Sequence, residues 1–292
     1  MERAEMSREN LTVAIIPNLT RDNAADVTAQ ICAALTTLGA EVLFDRALQP
    51  RLGTLPAQFL EEDAMLRRCD LVIAVGGDGS IIVASHKAIP HAKPVLGINA
   101  GRLAFLAGLE QHELELLGKL FTGEYRTERR MLLCAELLRD GAVTQRRLCI
   151  NDAVLSRTGA AKPTGFSVCA EGRTVAQYLG DGLIAATPTG STAYSLSAGG
   201  PIVDPTIESI LLTPVCPHAL SARTMVFAAD ATLTVQVTTE YAASLSCDGG
   251  APIPVPRGAT VRIRKAETSA FFLRIKTDSF MDILHNKLQQ RS

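Results

Sequence analysis

A chain of 292 residues has room for about two domains, and with 47% hydrophobic and 20% charged residues it can build a sizeable core. Lys plus Arg number 29 against 30 for Asp plus Glu, a net charge of −1, which argues against a protein whose main business is coating nucleic acid or an anionic membrane. Aromatic residues are 4% of the chain and Trp is absent, so base-stacking platforms are poorly supplied.

Residues 11–16 form a short apolar run closed by Pro17 and Asn18, which predicts a buried strand. Val27, Ile31, Leu35 and Leu38 then recur at three- and four-residue spacing, with Asp22 as N-cap and Gly39 as the stop. That is the pattern of an amphipathic helix. Further strands are expected at 41–44, 71–75 and 95–98, and helices at 56–67, 80–89 and 110–121. Apolar strands without polar alternation, interleaved with helices, imply an α/β domain: a Rossmann-like parallel sheet covered by helices. The texture changes near Thr127. Segments 131–138 and 142–150 read as a hairpin around Asp140-Gly141. Short strands follow at 151–157, 165–170, 173–178, 182–187, 224–228, 232–238, 242–247 and 259–265, a mainly-β, sandwich-like domain. Residues 271–289 read as one more strand and a short helix. The expected division is 1–127 and 128–270, with 271–292 packing back on the first domain.

The seven cysteines are odd in number and contain no C-x-x-C pair. They read as buried reduced thiols rather than a disulfide framework or a zinc site. Residues 1–10 lack the apolar segment of a signal peptide, and no apolar run reaches bilayer length, so a soluble, cytoplasmic protein is expected.

Three segments concentrate glycine and small polar residues. Gly76-Gly77-Asp78-Gly79-Ser80 lies between an apolar strand and a helix, where backbone N–H groups can approach a phosphate and the helix adds its positive end. Asp78 is the informative residue, because its charge opposes a phosphate unless it holds a metal or takes a proton from a hydroxyl. The five residues alone leave that reading and a simple helix N-cap equally open. The second segment runs from Gly97 to Phe105 and would lie beside the first. In the third, from Gly180 to Pro201, a strand gives way to a turn rich in hydroxyls around Tyr194.

Taken together, Gly76 to Ser80, Asn151-Asp152-Ala153-Val154, Asp181 to Pro201, Ser246-Cys247-Asp248-Gly249 and His218 to Arg223 resemble the bacterial-type NAD kinases. The similarity spreads from about residue 11 to 280. It implies phosphorylation of the adenosine-ribose 2′-hydroxyl of NAD by Mg²⁺-bound ATP, or by polyphosphate, with NAD lying between the domains. By that resemblance Asp78 is the general base, and Gly76, Gly77 and Ser80 form the phosphate loop. Gly79, Phe105, Asn151, Asp152, Lys162, Asp181, Thr192, Ala193, Tyr194, Ser195, Leu196 and Ser197 contact the nucleotide. The resemblance also implies small-molecule nucleotide partners and a homo-oligomer, dimer or tetramer. Asp152 stands where relatives more often have Glu, and Gly250 where Gln is frequent. A lipid or sugar-phosphate kinase is the rival within the superfamily, since its loops can carry Gly-Gly-Asp-Gly. A non-catalytic NAD(P) sensor is the rival outside it.

Overall fold

A computed structural model describes residues 10–20, 23–101, 104–159, 162–219, 221–239 and 243–289. The chain divides into two compact units, Met1–Arg129 with Ala270–Ser292, and Arg130–Ser269.

In the first unit the parallel strands lie in the order Gln58–Leu60, Glu41–Asp45, Thr12–Pro17, Leu71–Gly76 and Val95–Asn99. Ala107–Glu110 and Phe272 both pair with the last of these. Leu71–Gly76 is buried at every position, which is why its sequence shows no alternation. The helix Ala24–Thr37 turns Val27, Ile31, Cys32 and Leu35 onto the sheet, and Gly39 follows it in the left-handed region. Asp22 lies outside the described residues.

Two expected helices are corrected. In place of a helix over 56–67 there is a short strand, Gln58–Leu60, and then a helix, Glu62–Arg68. The strand forms because it can pair with the edge at 43–45, where Phe59 stacks on Phe44 at 5.7 Å. The helix that remains has Glu62 and Asp63 in its first turn and Arg67 and Arg68 in its last, the polarity its dipole favours. The apolar spacing over 110–121 belongs to two short turns, Leu114–Gly118 and Lys119–Thr122, with Gly118 at their junction.

The second unit packs two sheets over one apolar core. Phe166, Val168, Val235 and Ile263 come from one sheet, and Leu155, Leu183, Leu212 and Leu245 from the other. The hairpin Arg126–Arg139 to Ala142–Cys149 turns on Asp140 and Gly141, both at positive φ as its tight turn requires. The second sheet runs Met225–Ala228, Ser209–Val215, Gly182–Ala186, Asp152–Arg157, Ala243–Cys247 and Ile253–Val255, with neighbouring strands antiparallel. Ser209–Val215, not among the expected strands, is a central strand of this sheet although it contains Pro214. The neighbouring strand Met225–Ala228 reaches only Leu212, so Pro214 owes no hydrogen bond on that side. Strand 259–265 also proves longer, running unbroken as Thr260–Arg274 and absorbing the separate strand expected after 271. Four cysteines are buried as expected, but Cys169 and Cys247 are half-buried and Cys216 is exposed, all as free thiols.

Candidate functional site

In the first unit the site begins where three parallel strands end side by side. Pro17 pairs with Val75 and Gly76 with Asn99, so the loops after these strands share one edge. Thr12–Pro17 and Leu71–Gly76 are the adjacent strands at which the order of the sheet reverses, the place where open α/β sheets bind ligands. Gly76 takes φ +150°, and a Cβ there would lie 2.4 Å from Ser80 Oγ. No other residue fits. Ser80 Oγ in turn accepts from Asn18 Nδ2 at 2.9 Å, tying the neighbouring loop to this one.

Asp78 opens the helix Asp78–Ala88 but does not cap it, since Gly77 holds the cap position. Its two carboxylate oxygens instead accept the backbone N–H groups of Phe105 at 2.9 Å and Leu106 at 2.8 Å. The helix-cap alternative is therefore removed. Both oxygens keep a lone pair, and the half-buried side chain remains within reach of solvent. Phe105 is half-buried, Gly79 exposed, and Arg102 and Leu103 lie outside the described residues.

In the second unit a different carboxylate organises the chain. Asp248, at φ +48°, accepts from the N–H groups of Ile150 (2.7 Å), Asn151 (2.7 Å) and Asp152 (3.0 Å), and its own N–H donates to Asp152 O. Gly190 packs directly on this segment: a Cβ there would stand 2.1 Å from Asn151 O. Thr187 Oγ1 donates to Ile150 O and accepts from Gly190 N, and the buried Arg130 reaches Thr189 Oγ1 at 3.2 Å. Asp152 is 5% exposed, and burial together with the charge of Asp248 raises its carboxyl to about 7. Near neutral pH it is therefore partly protonated and can donate a hydrogen bond.

Beside this segment is a hollow of about 430 Å³ lined in part by Val154, Ser156, Arg157, Asp181, Tyr194 and Cys216. Arg157 Nε donates to Asp181 Oδ1 at 2.7 Å, and Tyr194 is 46% exposed, with ring and phenol available to a ligand. Thr192, Ala193 and Leu196 are half-buried, and Ser197 and Lys162 exposed. Ser195 is different. It is fully buried, with its hydroxyl 2.9 Å from Thr213 Oγ1, so it supports the segment instead of facing a ligand. Ser191 plays a similar part, exchanging hydrogen bonds with the backbone of Val203.

Models of the ATP-NAD kinase N-terminal and C-terminal domains match residues 13–125 and 150–275. The chain belongs to the NAD kinase family. Its curated relatives include the NAD kinase of Symbiobacterium thermophilum, 40% identical over 94% of this chain and 98% of that one. The NAD kinase of Desulforamulus reducens is 33% identical over 96% and 97%. Among solved structures, yeast NADH kinase complexed with NADH has the same fold, with a TM-score of 0.89 at 22% identity over 98% of this chain and 89% of that one. An NAD kinase from Archaeoglobus fulgidus in complex with ATP gives 0.72 at 23% identity, over 96% and 98%.

Within this NAD kinase chain, sequence reasoning named Asp248 only as part of a matching motif and passed over Arg157 and Arg130. The signal for Asp248 was the Asp248-Gly249 pair closing a strand, a common place for a residue at positive φ. Arg157 carries no such signal. Its partner Asp181 lies 24 residues away and meets it only because the two strands are neighbours.

Proposed function

We propose that this chain transfers the terminal phosphoryl group of ATP to the 2′-hydroxyl of the adenosine ribose of NAD, giving NADP. The observation that carries this reading is Asp78, a carboxylate fixed by two backbone N–H groups at the end of a central parallel strand. Fixing both oxygens orients the remaining lone pairs, and a ribose hydroxyl placed about 2.6–3.2 Å away could pass its proton to one of them as the oxygen attacks. The same binding mode costs no side-chain reordering during the reaction. Family membership gives the reaction class, a phosphotransferase acting on an alcohol group.

Mg²⁺ would arrive with the donor nucleotide and supply positive charge to offset that on the transferred group. The loop 76–80 fits that division of labour. It contains no lysine or arginine, while Asp78 and Gly79 precede the first N–H bonded back to the cap, Ser80 N to Gly77 O at 2.9 Å, so their N–H groups would be the donors for an oxygen anion. In the second unit Asn151 and Asp152 would hold ribose hydroxyls, the protonated form of Asp152 as a donor. Asp181 and Tyr194 would line the rest of the dinucleotide. Free thiols at all seven cysteines suit a reducing compartment such as the cytoplasm. Met225–Ala228 ends its sheet with Val226 56% exposed, an edge suited to a homo-oligomer contact.

Asp78→Asn tests the central role. It keeps the shape but sets an amide NH₂ against one of the two N–H donors and cannot accept the hydroxyl proton. NADP formation from NAD and Mg·ATP should fall by a factor on the order of 10²–10⁴. NAD binding, measured by calorimetry, should persist. Near-normal turnover in this variant would remove Asp78 from the base role.

A further inference from the structure

Phe105 and Leu106, whose N–H groups grip Asp78, belong to no helix or strand and precede the short strand Ala107–Glu110. Leu106 is buried, so its carbonyl needs a partner inside the protein. That partner comes from the far end of the first unit. Leu71–Gly76 occupies one edge of Val95–Asn99. On the other edge Phe272 pairs with Val95 and Ala107 with Gly97, so the strand Thr260–Arg274 meets Ala107–Glu110 end to end. Arg274 reaches across this join. Its Nη1 donates to Ala107 O at 2.6 Å and to Leu106 O at 3.3 Å, and its Nε donates to Glu128 Oε2 at 3.1 Å. The Arg274 side chain is 6% exposed and that of Glu128 18%. Gly108 permits the close approach, since a Cβ there would stand 2.9 Å from Leu273 O.

We infer that Arg274 is a positioning residue for phosphoryl transfer: it fixes the segment 105–107 and, through that segment, the carboxylate of Asp78. The inference rests on the reading of Asp78 as the base. Leu106 is held by both of its backbone polar groups, its N–H by Asp78 Oδ1 and its C=O by Arg274 Nη1. A displacement of the guanidinium is therefore passed directly to the carboxylate. Bonds from a charged donor are stronger than those between neutral groups, and a buried guanidinium keeps all the acceptors it can reach. Glu128 offsets its charge and holds its plane. An ion pair serving stability alone has no need of the carbonyls, yet two of the three bonds named end on the backbone beside the Asp78 grip. Arg274 takes no part in the proton transfer itself. Its contribution is accuracy, because the lone pairs left on Asp78 must meet a hydroxyl within about 2.6–3.2 Å.

The test is a double-mutant cycle on the full chain with NAD and Mg·ATP. Arg274→Met keeps the stem and removes the donors. Its kcat should fall roughly tenfold or more, on the scale at which a misplacement of about 1 Å can cost 10²-fold, with KM for NAD and for ATP nearly unchanged. In an Asp78→Ala background there is no carboxylate to place, so Arg274→Met should leave the residual turnover the same. Amide hydrogen exchange at Phe105 and Leu106 should speed up in Arg274→Met. Arg274→Lys keeps a charged donor for the carbonyls and should recover most of the lost kcat; if the Met variant fails to fold, the Lys variant is read in the same cycle for a smaller loss. An equal loss of kcat in both backgrounds would overturn the inference, as would a loss confined to KM or unchanged exchange at 105 and 106. Near-normal turnover in Asp78→Ala alone would defeat the reading of Asp78 and take the inference with it. A dead Asp78→Ala variant beside an unaffected Arg274→Met variant would overturn the inference alone.

Discussion

Asp78 and Asp248 are both carboxylates gripped by backbone N–H groups, yet they are built for different ends. Asp78 receives two donors, one per oxygen, and stays half-buried with a lone pair on each oxygen to spare. Asp248 receives three donors from consecutive residues and stands at a positive φ that an Asp tolerates better than most side chains. The first grip orients a group and leaves it able to react. The second spends the group on shaping the loop that carries Asn151 and Asp152. A fixed carboxylate is thus no guide to catalysis by itself; what matters is the accepting capacity left over.

Asp248→Asn presses hardest on that difference. An amide keeps one acceptor and turns an NH₂ toward N–H groups that need oxygen, so charge-assisted hydrogen bonds worth about 1.5–3 kcal/mol each are weakened or lost. We expect a stability loss of several kcal/mol in denaturant unfolding, with turnover falling because the loop 150–152 is no longer held. Asp78→Asn should show the reverse balance, with a large loss of turnover and a small loss of stability. If the two variants lose stability and activity in the same proportion, the distinction between a shaping and a reacting carboxylate fails.

Asp152 gives the next largest effect, and its sign is fixed by the direction of its shift. Burial first, and the Asp248 charge second, raise its carboxyl to about 7 in the folded chain. In the unfolded chain an Asp titrates near 3.9. Between about pH 4 and 7 the unfolded state therefore holds fewer protons at this position than the folded state. Stability from this residue is fully present below pH 4 and is lost as pH rises toward 7, with a limiting slope of about 1.4 kcal/mol per pH unit. Asp152→Asn should flatten that part of the unfolding profile measured by calorimetry across the range. Asp248→Asn should reduce the slope in part, since burial remains. A profile unchanged by Asp152→Asn would assign the pH dependence to other groups.

The parts of this arrangement legible in the sequence are those written over short spans. Leu71–Gly76, its glycine turn and the helix after it follow from a run of apolar residues, a breaker and a periodic segment, all within 20 residues. The Asp140-Gly141 hairpin is equally local. The partners of Asp78 lie 27 and 28 residues on, and those of Asp248 lie 96 to 98 residues back, so neither set is written near the residue it serves. Side-chain facing was also beyond reach in 192–197. Tyr194 and Ser195 are adjacent small-turn residues of similar promise, and only packing against Thr213 decides that one is exposed and the other enclosed. Gly190 shows the same thing for backbone: its identity is demanded by Asn151, 39 residues earlier, as the two segments meet in the fold.

The smallest effect belongs to the pair at the edge of the hollow, Arg157 and Asp181. Their side chains are 28% and 44% exposed, so the 2.7 Å contact between them is screened by water and contributes about 0–1 kcal/mol to folding. Asp181→Asn removes a charge that the fold does not need, and denaturant unfolding should shift by less than about 1 kcal/mol. Its effect should fall on ligand binding, because the released guanidinium of Arg157 adds positive charge to a hollow that also offers the ring of Tyr194. For a substrate whose nicotinamide end is cationic this change is adverse, and KM for NAD should rise while kcat stays nearly constant. That split separates the hollow from the Asp78 loop, where the loss is in kcat. Equal losses in kcat on replacing Asp78 and Asp181 would mean that both carboxylates take part in the chemical step.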